Sequence, residues 1–193
     1  MHDLPRRRPA RLEAILADAD QAGFAMSCED RTGSLLATLA ASKPGGRLLE
    51  LGTGAGAGAA WLTAGMDAGA RLTTVETDPA VQAIARRHLG ADPRIEFVTA
   101  DADAWLTAAA PAGERYDFAY VDCRPGKYHR LDDLLALLAP GALYVVDDML
   151  PQATWPGNHQ PRVDGFFERL PEVANFRATP MRWASGLVVA AKV

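Results

Sequence analysis

Cysteine is scarce in this chain, with only Cys28 and Cys123 among 193 residues. Two thiols build no disulfide framework and stand at no metal-ligand spacing, so a reducing, cytoplasmic setting is expected. Long apolar runs are missing as well. No uncharged apolar stretch reaches 18 residues, and the start, MHDLPRRRPARLEAILADAD, lacks the apolar centre of a signal peptide, so neither a membrane span nor a secretory leader is expected. Excess positive charge is the third absence. Twenty Lys and Arg against 24 Asp and Glu leave a formal charge of −4, and no global field exists to draw nucleic acid or anionic lipid. The early cluster Arg6, Arg7, Arg8 and Arg11 reads as a solvated end. There is no internal repeat, linker or low-complexity tract beyond alanine enrichment.

What is present is ordinary globular composition, 49% hydrophobic and 23% charged, which excludes a disordered or collagen-like chain. The length suits one domain over 1–193. Short apolar runs alternate with alanine- and leucine-rich stretches of helical period, the rhythm of βαβ units and an α/β fold. Strands are predicted over 47–51, 71–75, 94–98, 116–121 and 142–147, each hydrophobic throughout, as a parallel strand covered on both faces must be. Helices are predicted over 57–66, 79–88, 102–109 and 128–138, closed by Gly90, Pro111 and Pro140-Gly141. Residues 161–170 suggest a further helix, and 174–192 two antiparallel strands. The segment 10–22 is helical in composition, and 1–23 is expected to form a helical cap over a pocket.

The stretch Leu48-Leu49-Glu50-Leu51-Gly52-Thr53-Gly54-Ala55-Gly56-Ala57-Gly58 runs from a buried strand into a glycine-dense turn and a helix. Glycine permits positive φ and lets something sit against bare N–H groups at a helix N-terminus. Dinucleotide-binding turns share this pattern, so the surrounding residues must decide. Glu76 ends the second strand, where a carboxylate accepts both ribose hydroxyls. Asp101 follows the third strand, and Glu50 precedes Gly52 by two positions. Carboxylates gathered at one crevice favour a cationic ligand over a pyrophosphate; the blander alternative is that each caps a helix. None of the four tyrosines has a lysine four places on, as a dehydrogenase of the Tyr-x-x-x-Lys type needs.

The ELGTGAGAG turn, the VETD strand end, the ADA after the third strand and the YVVDDM after the fifth resemble class I S-adenosylmethionine-dependent methyltransferases. Among these, the chain is most similar to small-molecule O-methyltransferases related to the catechol and caffeoyl-CoA enzymes. The resemblance is strong over 24–150. It implies a doubly wound, Rossmann-like sheet of seven mostly parallel strands, one of them antiparallel, with helices on both faces. It also implies that Glu50, Gly52, Thr53, Gly54 and Gly56 hold the methionine part of S-adenosylmethionine, Glu76 and Thr77 the ribose side, and Asp101 with Ala102 the adenine. Met26, in the Phe24–Ser27 stretch, would close over the methionine end together with Thr32-Gly33. Asp122 would serve both cofactor and chemistry.

The same resemblance implies a divalent cation such as Mg²⁺ on Asp122, Asp147 and Asp148, lowering the pKa of the attacked hydroxyl. Two departures stand out: Asp148 replaces an asparagine, which leaves three carboxylates around a dication, and Pro125 replaces a lysine. Lys127 or Arg124 would then act from a reshaped loop. The proline-rich loop 149–161 is the expected substrate wall, with Trp155 as an aromatic face and His159 as a candidate general base. Asp122, Lys127 and His159 are the candidate catalytic residues, and Cys123 reads as a small buried hydrophobe. The expected function is methyl transfer to a hydroxyl of a small-molecule acceptor, with a second copy of the chain as a possible partner and neither nucleic acid nor membrane. The alternatives are a metal-independent N- or C-methyltransferase, a non-catalytic S-adenosylmethionine-binding protein and a dehydrogenase.

Overall fold

A computed structural model describes residues 3–5, 7–109, 113–152 and 155–193. Arg6, Pro111 and the Ala153-Thr154 part of the expected substrate loop lie outside them. Seven strands form one sheet: β1 (Arg47–Leu51), β2 (Arg71–Glu76), β3 (Ile95–Thr99), β4 (Tyr116–Val121), β5 (Leu138–Val146), β6 (Phe176–Met181) and β7 (Leu187–Lys192). Their order is β3-β2-β1-β4-β5-β7-β6. Strands β1 to β5 form the parallel part, and β7 runs antiparallel to both β5 and β6. This is the expected sheet with its one reversed strand.

Successive side chains on a strand point to opposite faces, and the sequence fills both with apolar groups. On one face Leu48, Leu72, Phe118 and Val145 pack under α1 (Leu12–Gln21), α2 (Asp30–Ala41), α3 (Ala57–Gly65) and α4 (Pro79–Leu89). On the other, Leu49, Leu51, Val121 and Tyr144 pack under α5 (Ala102–Ala109), α6 (Leu131–Ala136) and α7 (Gln160–Arg169). A leucine as fully buried as Leu48 contributes about 2 kcal/mol by leaving water.

Local chemistry sets the helix starts. Asp78 caps α4 by accepting from the N–H of Ala80 at 2.8 Å and of Val81 at 3.3 Å, and Pro79 occupies the first turn, where its missing N–H is unneeded.

Three sequence expectations are corrected. The helix expected over 128–138 is confined to Leu131–Ala136, because the loop after β4 continues to Arg130, which enters α6 at φ 56°. Pro140-Gly141 does not close that helix; it lies within β5, where the pairing with β4 shifts register between Tyr116 and Phe118. Helix α2 was not expected at all.

Candidate active site

The site is built at the carboxyl ends of β1, β2, β4 and β5, where the strand order reverses and the sheet opens a crevice. Register decides which side chains meet there. Glu50 on β1 lies level with Thr74 on β2 and Tyr120 on β4, so all three project from the same face. The Thr74 hydroxyl donates to Glu50 Oε2 at 2.5 Å and stands 2.6 Å from the Thr53 hydroxyl. Glu50 Oε1 is buried and has no hydrogen-bond partner among the described residues. Burial, with the charges of Asp122 and Glu76 adding, pushes the Glu50 carboxyl up to about 8 despite the Thr74 hydrogen bond.

The glycine turn follows β1. Gly52, Gly54 and Gly56 all take positive φ, but what crowds them is the chain itself. A Cβ on Gly52 would meet the Asp122 carbonyl at 2.8 Å, one on Gly54 the Phe24 ring at 2.9 Å, and one on Gly56 Ala85 at 2.7 Å. Gly52, Thr53 and Gly54 line the cavity, whereas Gly56 packs α3 against α4 and does not line it. Thr32 and Gly33 also lie away from the cavity: Gly33 lets α2 approach Trp61 of α3.

Glu76 pins this turn, accepting from the N–H of Gly54 at 2.8 Å and of Thr77 at 2.8 Å. Asp101 caps α5 through the N–H of Asp103 at 2.9 Å and of Ala104 at 3.1 Å. The helix-capping role weighed for these acids holds for Asp101 alone, since the groups Glu76 holds lie in the turns before α3 and α4, and both acids line the cavity beside Thr77 and Ala102. Met26, three-quarters exposed, sits at its rim.

One cavity of about 620 Å³ joins this half to a second. There the Tyr120 hydroxyl donates to Asp147 Oδ2 at 2.7 Å and lies 3.4 Å from Asp122 Oδ2. Ser185 and the Asp148 N–H both donate to Asp147 Oδ1. Lys127, buried on the loop after β4, donates from Nζ to the Asp147 carbonyl at 2.8 Å. Burial and the Asp147 charge push the Asp122 carboxyl up, with Lys127 opposing. Asp148 accepts the Trp155 indole N–H at 2.9 Å, and Trp155 stacks on His159 with ring centroids 4.1 Å apart. His159 Nε2 lies 2.9 Å from the Tyr128 hydroxyl.

The candidate catalytic residues Asp122, Lys127 and His159 thus share the cavity. Tyr128, Tyr120 and Ser185 were missed; two of them hide in strand or loop sequence without a motif, and Ser185 comes from the turn before β7. Cys123 is pushed up to about 12, chiefly by burial, and is no nucleophile.

The expected metal triplet is not assembled as a cation site. Among the described residues, no three His, Cys, Asp or Glu side chains form a group able to hold a metal ion. Both Asp147 oxygens take protein donors and Asp148 is bound to Trp155, so the donors a dication requires are already directed elsewhere.

The family described as "Methyltransferase domain" matches residues 49–149, from the middle of β1 to just past the Asp147-Asp148 pair. The chain belongs to this methyltransferase family. The dehydrogenase alternative falls with that finding. A Mycobacterium sp. (strain JLS) protein named "Putative O-methyltransferase" is 31% identical over 161 residues, covering 72% of each chain. Further mycobacterial relatives of the same name are spanned over 52% to 62% of their own length. Among solved structures, the O-methyltransferase from Bacillus cereus in complex with SAH superposes with a TM-score of 0.85 at 23% identity, covering 99% of this chain and 94% of that one. TomG, an O-methyltransferase from Streptomyces achromogenes in complex with SAM, gives 0.84 at 22% identity, covering 97% and 91%. At such identities the likeness is one of fold. No helix among the described residues of this methyltransferase is long and apolar enough to cross a membrane.

Proposed function

We propose that this methyltransferase moves a methyl group from S-adenosylmethionine to a hydroxyl oxygen of a small molecule. The observation that carries the reading is that one cavity runs from the glycine turn and its carboxylates to Lys127, Tyr128 and His159. S-adenosylmethionine would supply a methyl group made electrophilic by its sulfonium. The residues present fit it: Glu50 Oε1 is a buried acceptor without a donor among the described residues, and its carboxyl, costly to ionise alone, calls for a cation. Glu50, Gly52, Thr53 and Gly54 would hold the methionine part, Glu76 and Thr77 the ribose, and Asp101 with Ala102 the adenine rim. Asp122 joins the two halves, and Met26 with its neighbours would cover the mouth. The solved relatives carrying SAH and SAM in this fold support the choice of ligand.

The chain's own part is to orient, to exclude water and to take a proton from the acceptor. Alignment of a nucleophile and an electrophile about 3 Å apart provides much of the acceleration in such displacements. The carboxylates do not fit a divalent cation, and no step is routed through one. The test is release of S-adenosylhomocysteine when the protein meets S-adenosylmethionine and a panel of hydroxylated small molecules. Release with at least one hydroxyl acceptor is expected; release only with amine or carbon acceptors would overturn the oxygen assignment.

A further inference from the structure

With the Asp147 and Asp148 carboxylates held by protein donors, the acceptor proton needs another route, and the side chains at the far end of the cavity supply one. His159, at the start of α7, is 8% exposed, and its only side-chain hydrogen bond among the described residues joins Nε2 to the Tyr128 hydroxyl at 2.9 Å. The two rings meet edge to face, with centroids 5.4 Å apart. Trp155 covers the imidazole at 4.1 Å and 30°, and the Asp148 carboxylate fixes Trp155 through its indole N–H. Asp148 itself holds a left-handed backbone, φ 65°, a conformation that a non-glycine residue adopts at a cost. Lys127 Nζ lies over the Tyr128 ring, 4.9 Å from its centroid. The arrangement draws on three separate segments, the loops after β4 and β5 and the first turn of α7, and Tyr128, Trp155 and His159 all line the cavity that holds Glu50.

We propose that Tyr128 and His159 form a metal-free proton relay that deprotonates a phenolic acceptor, an inference that rests on the methyl-transfer reading above. The acceptor oxygen gives its proton to Tyr128 Oη as Tyr128 passes its own to His159 Nε2. A lone pair of the acceptor oxygen forms the new O–CH₃ bond while the S–CH₃ bond breaks and its electrons stay on sulfur. The imidazolium then loses its proton to solvent. The products are a methyl ether, S-adenosylhomocysteine and one proton.

Trp155 and Asp148 are positioning residues: the stack and the indole hydrogen bond hold the imidazole against Tyr128. The groups around His159 agree with a base. Burial lowers the imidazole from its ordinary value; Asp148 opposes, and Lys127, Arg124 and Arg162 add to the lowering, which favours the neutral ring that a base needs. Burial, with the Asp148 charge, raises Tyr128, against the pull of Arg162 and Arg124, so the phenol keeps a proton to pass on.

The test uses EDTA-treated wild type, Tyr128→Phe and His159→Gln, with S-adenosylmethionine and phenol, catechol or 3,4-dihydroxybenzoate as acceptors. S-adenosylhomocysteine affinity and melting temperature are measured on each protein. Wild type is expected to turn over at least one phenol in EDTA, and both variants to lose about 10²- to 10⁴-fold in kcat at pH 7. S-adenosylhomocysteine affinity should stay within about threefold, and the deficit should shrink as pH rises toward the acceptor's own pKa, because a phenolate needs no base. Nitrogen NMR of wild type gives a variant-free reading: His159 should titrate below the ordinary imidazole range. Loss of turnover in EDTA with recovery in Mg²⁺, full kcat in either variant, a His159 charged at pH 7, or S-adenosylhomocysteine binding without turnover of any phenol would each overturn the relay. Absence of S-adenosylhomocysteine binding would instead overturn the reading beneath it.

Discussion

Glu50 shows how a single side chain can bear on the choice of ligand. Its carboxyl is fully buried, one oxygen is bonded to Thr74 and the other has no partner among the described residues, and burial lifts it to about 8. A carboxyl raised in the folded state contributes stability that is complete below its unfolded value and is lost as pH climbs through the folded value. For Glu50 that window runs from 4.5 to about 8. The ligand-free protein is therefore held back by roughly 3 kcal/mol at pH 7, since each pH step above the unfolded value costs about 1.4 kcal/mol until the group ionises. Glu50→Gln should remove that cost. Denaturant unfolding is expected to show the variant more stable than wild type at pH 7 and equal to it near pH 4; a variant less stable at pH 7 would place an ionised, satisfied Glu50 in the free protein. The same variant should bind S-adenosylhomocysteine more weakly by about 1.5–3 kcal/mol, the range for a hydrogen bond to a charged group, as calorimetry can measure. Glu50 was legible in the sequence because it lies two places before the glycine turn. Its unpaired oxygen was not, because Thr74 and Tyr120 become its neighbours only through strand register. The donors that hold the expected metal triplet were hidden for a related reason: Tyr120, Ser185 and Trp155 lie 27, 38 and 7 residues away from the groups they bind.

Helix α2 went unseen because it carries few large apolar residues. Its buried positions are Thr32, Gly33, Leu36 and Ala40, so the spacing of four is present but the hydrophobic contrast is faint. Small residues are what its packing needs. A Cβ on Gly33 would fall 2.1–2.4 Å from ring atoms of Trp61, and one on Gly65 would fall 2.0 Å from the Ala37 carbonyl oxygen, so α2 and α3 touch almost backbone to ring. Gly33→Ala sets a helix-propensity gain of about 1 kcal/mol against overpacking that typically costs 1–3 kcal/mol. Since all three crowding atoms belong to the ring of the buried Trp61, overpacking wins, and thermal unfolding should show a net loss of about 1–2 kcal/mol; a stabilised variant would mean that α2 and α3 slide apart freely. The strands were easier to read. A parallel strand covered on both faces must be apolar at every position, and β1 and β4 were expected to the residue. β2 and β3 each ended one residue later than expected, and β5 began four residues early, because nothing in Leu138-Ala139-Pro140-Gly141 tells a strand interrupted by a register shift from a helix end.

At the scale of the molecule, the order β3-β2-β1-β4-β5-β7-β6 turns scattered acids into one site. Glu50, Glu76, Asp101, Asp122 and Asp147 all stand at or just past the carboxyl ends of neighbouring strands, so the topology that the alternation implied also implied their convergence. The balance of charge there underlies the proposed choice of ligand. A pyrophosphate would face those carboxylates, whereas an ammonium or sulfonium meets in Glu50 an acceptor waiting for a cation. Binding such a cation must lower the Glu50 carboxyl, which is protonated in the free protein at pH 7, and so expel a proton. Calorimetric titration of S-adenosylhomocysteine at pH 7 in two buffers of different ionisation enthalpy, with NAD⁺ as the parallel ligand, measures this directly. The account expects S-adenosylhomocysteine to bind wild type with net proton release, Glu50→Gln to bind it without that release, and NAD⁺ to give no heat. Binding without proton release, or NAD⁺ binding as tightly, would contradict it.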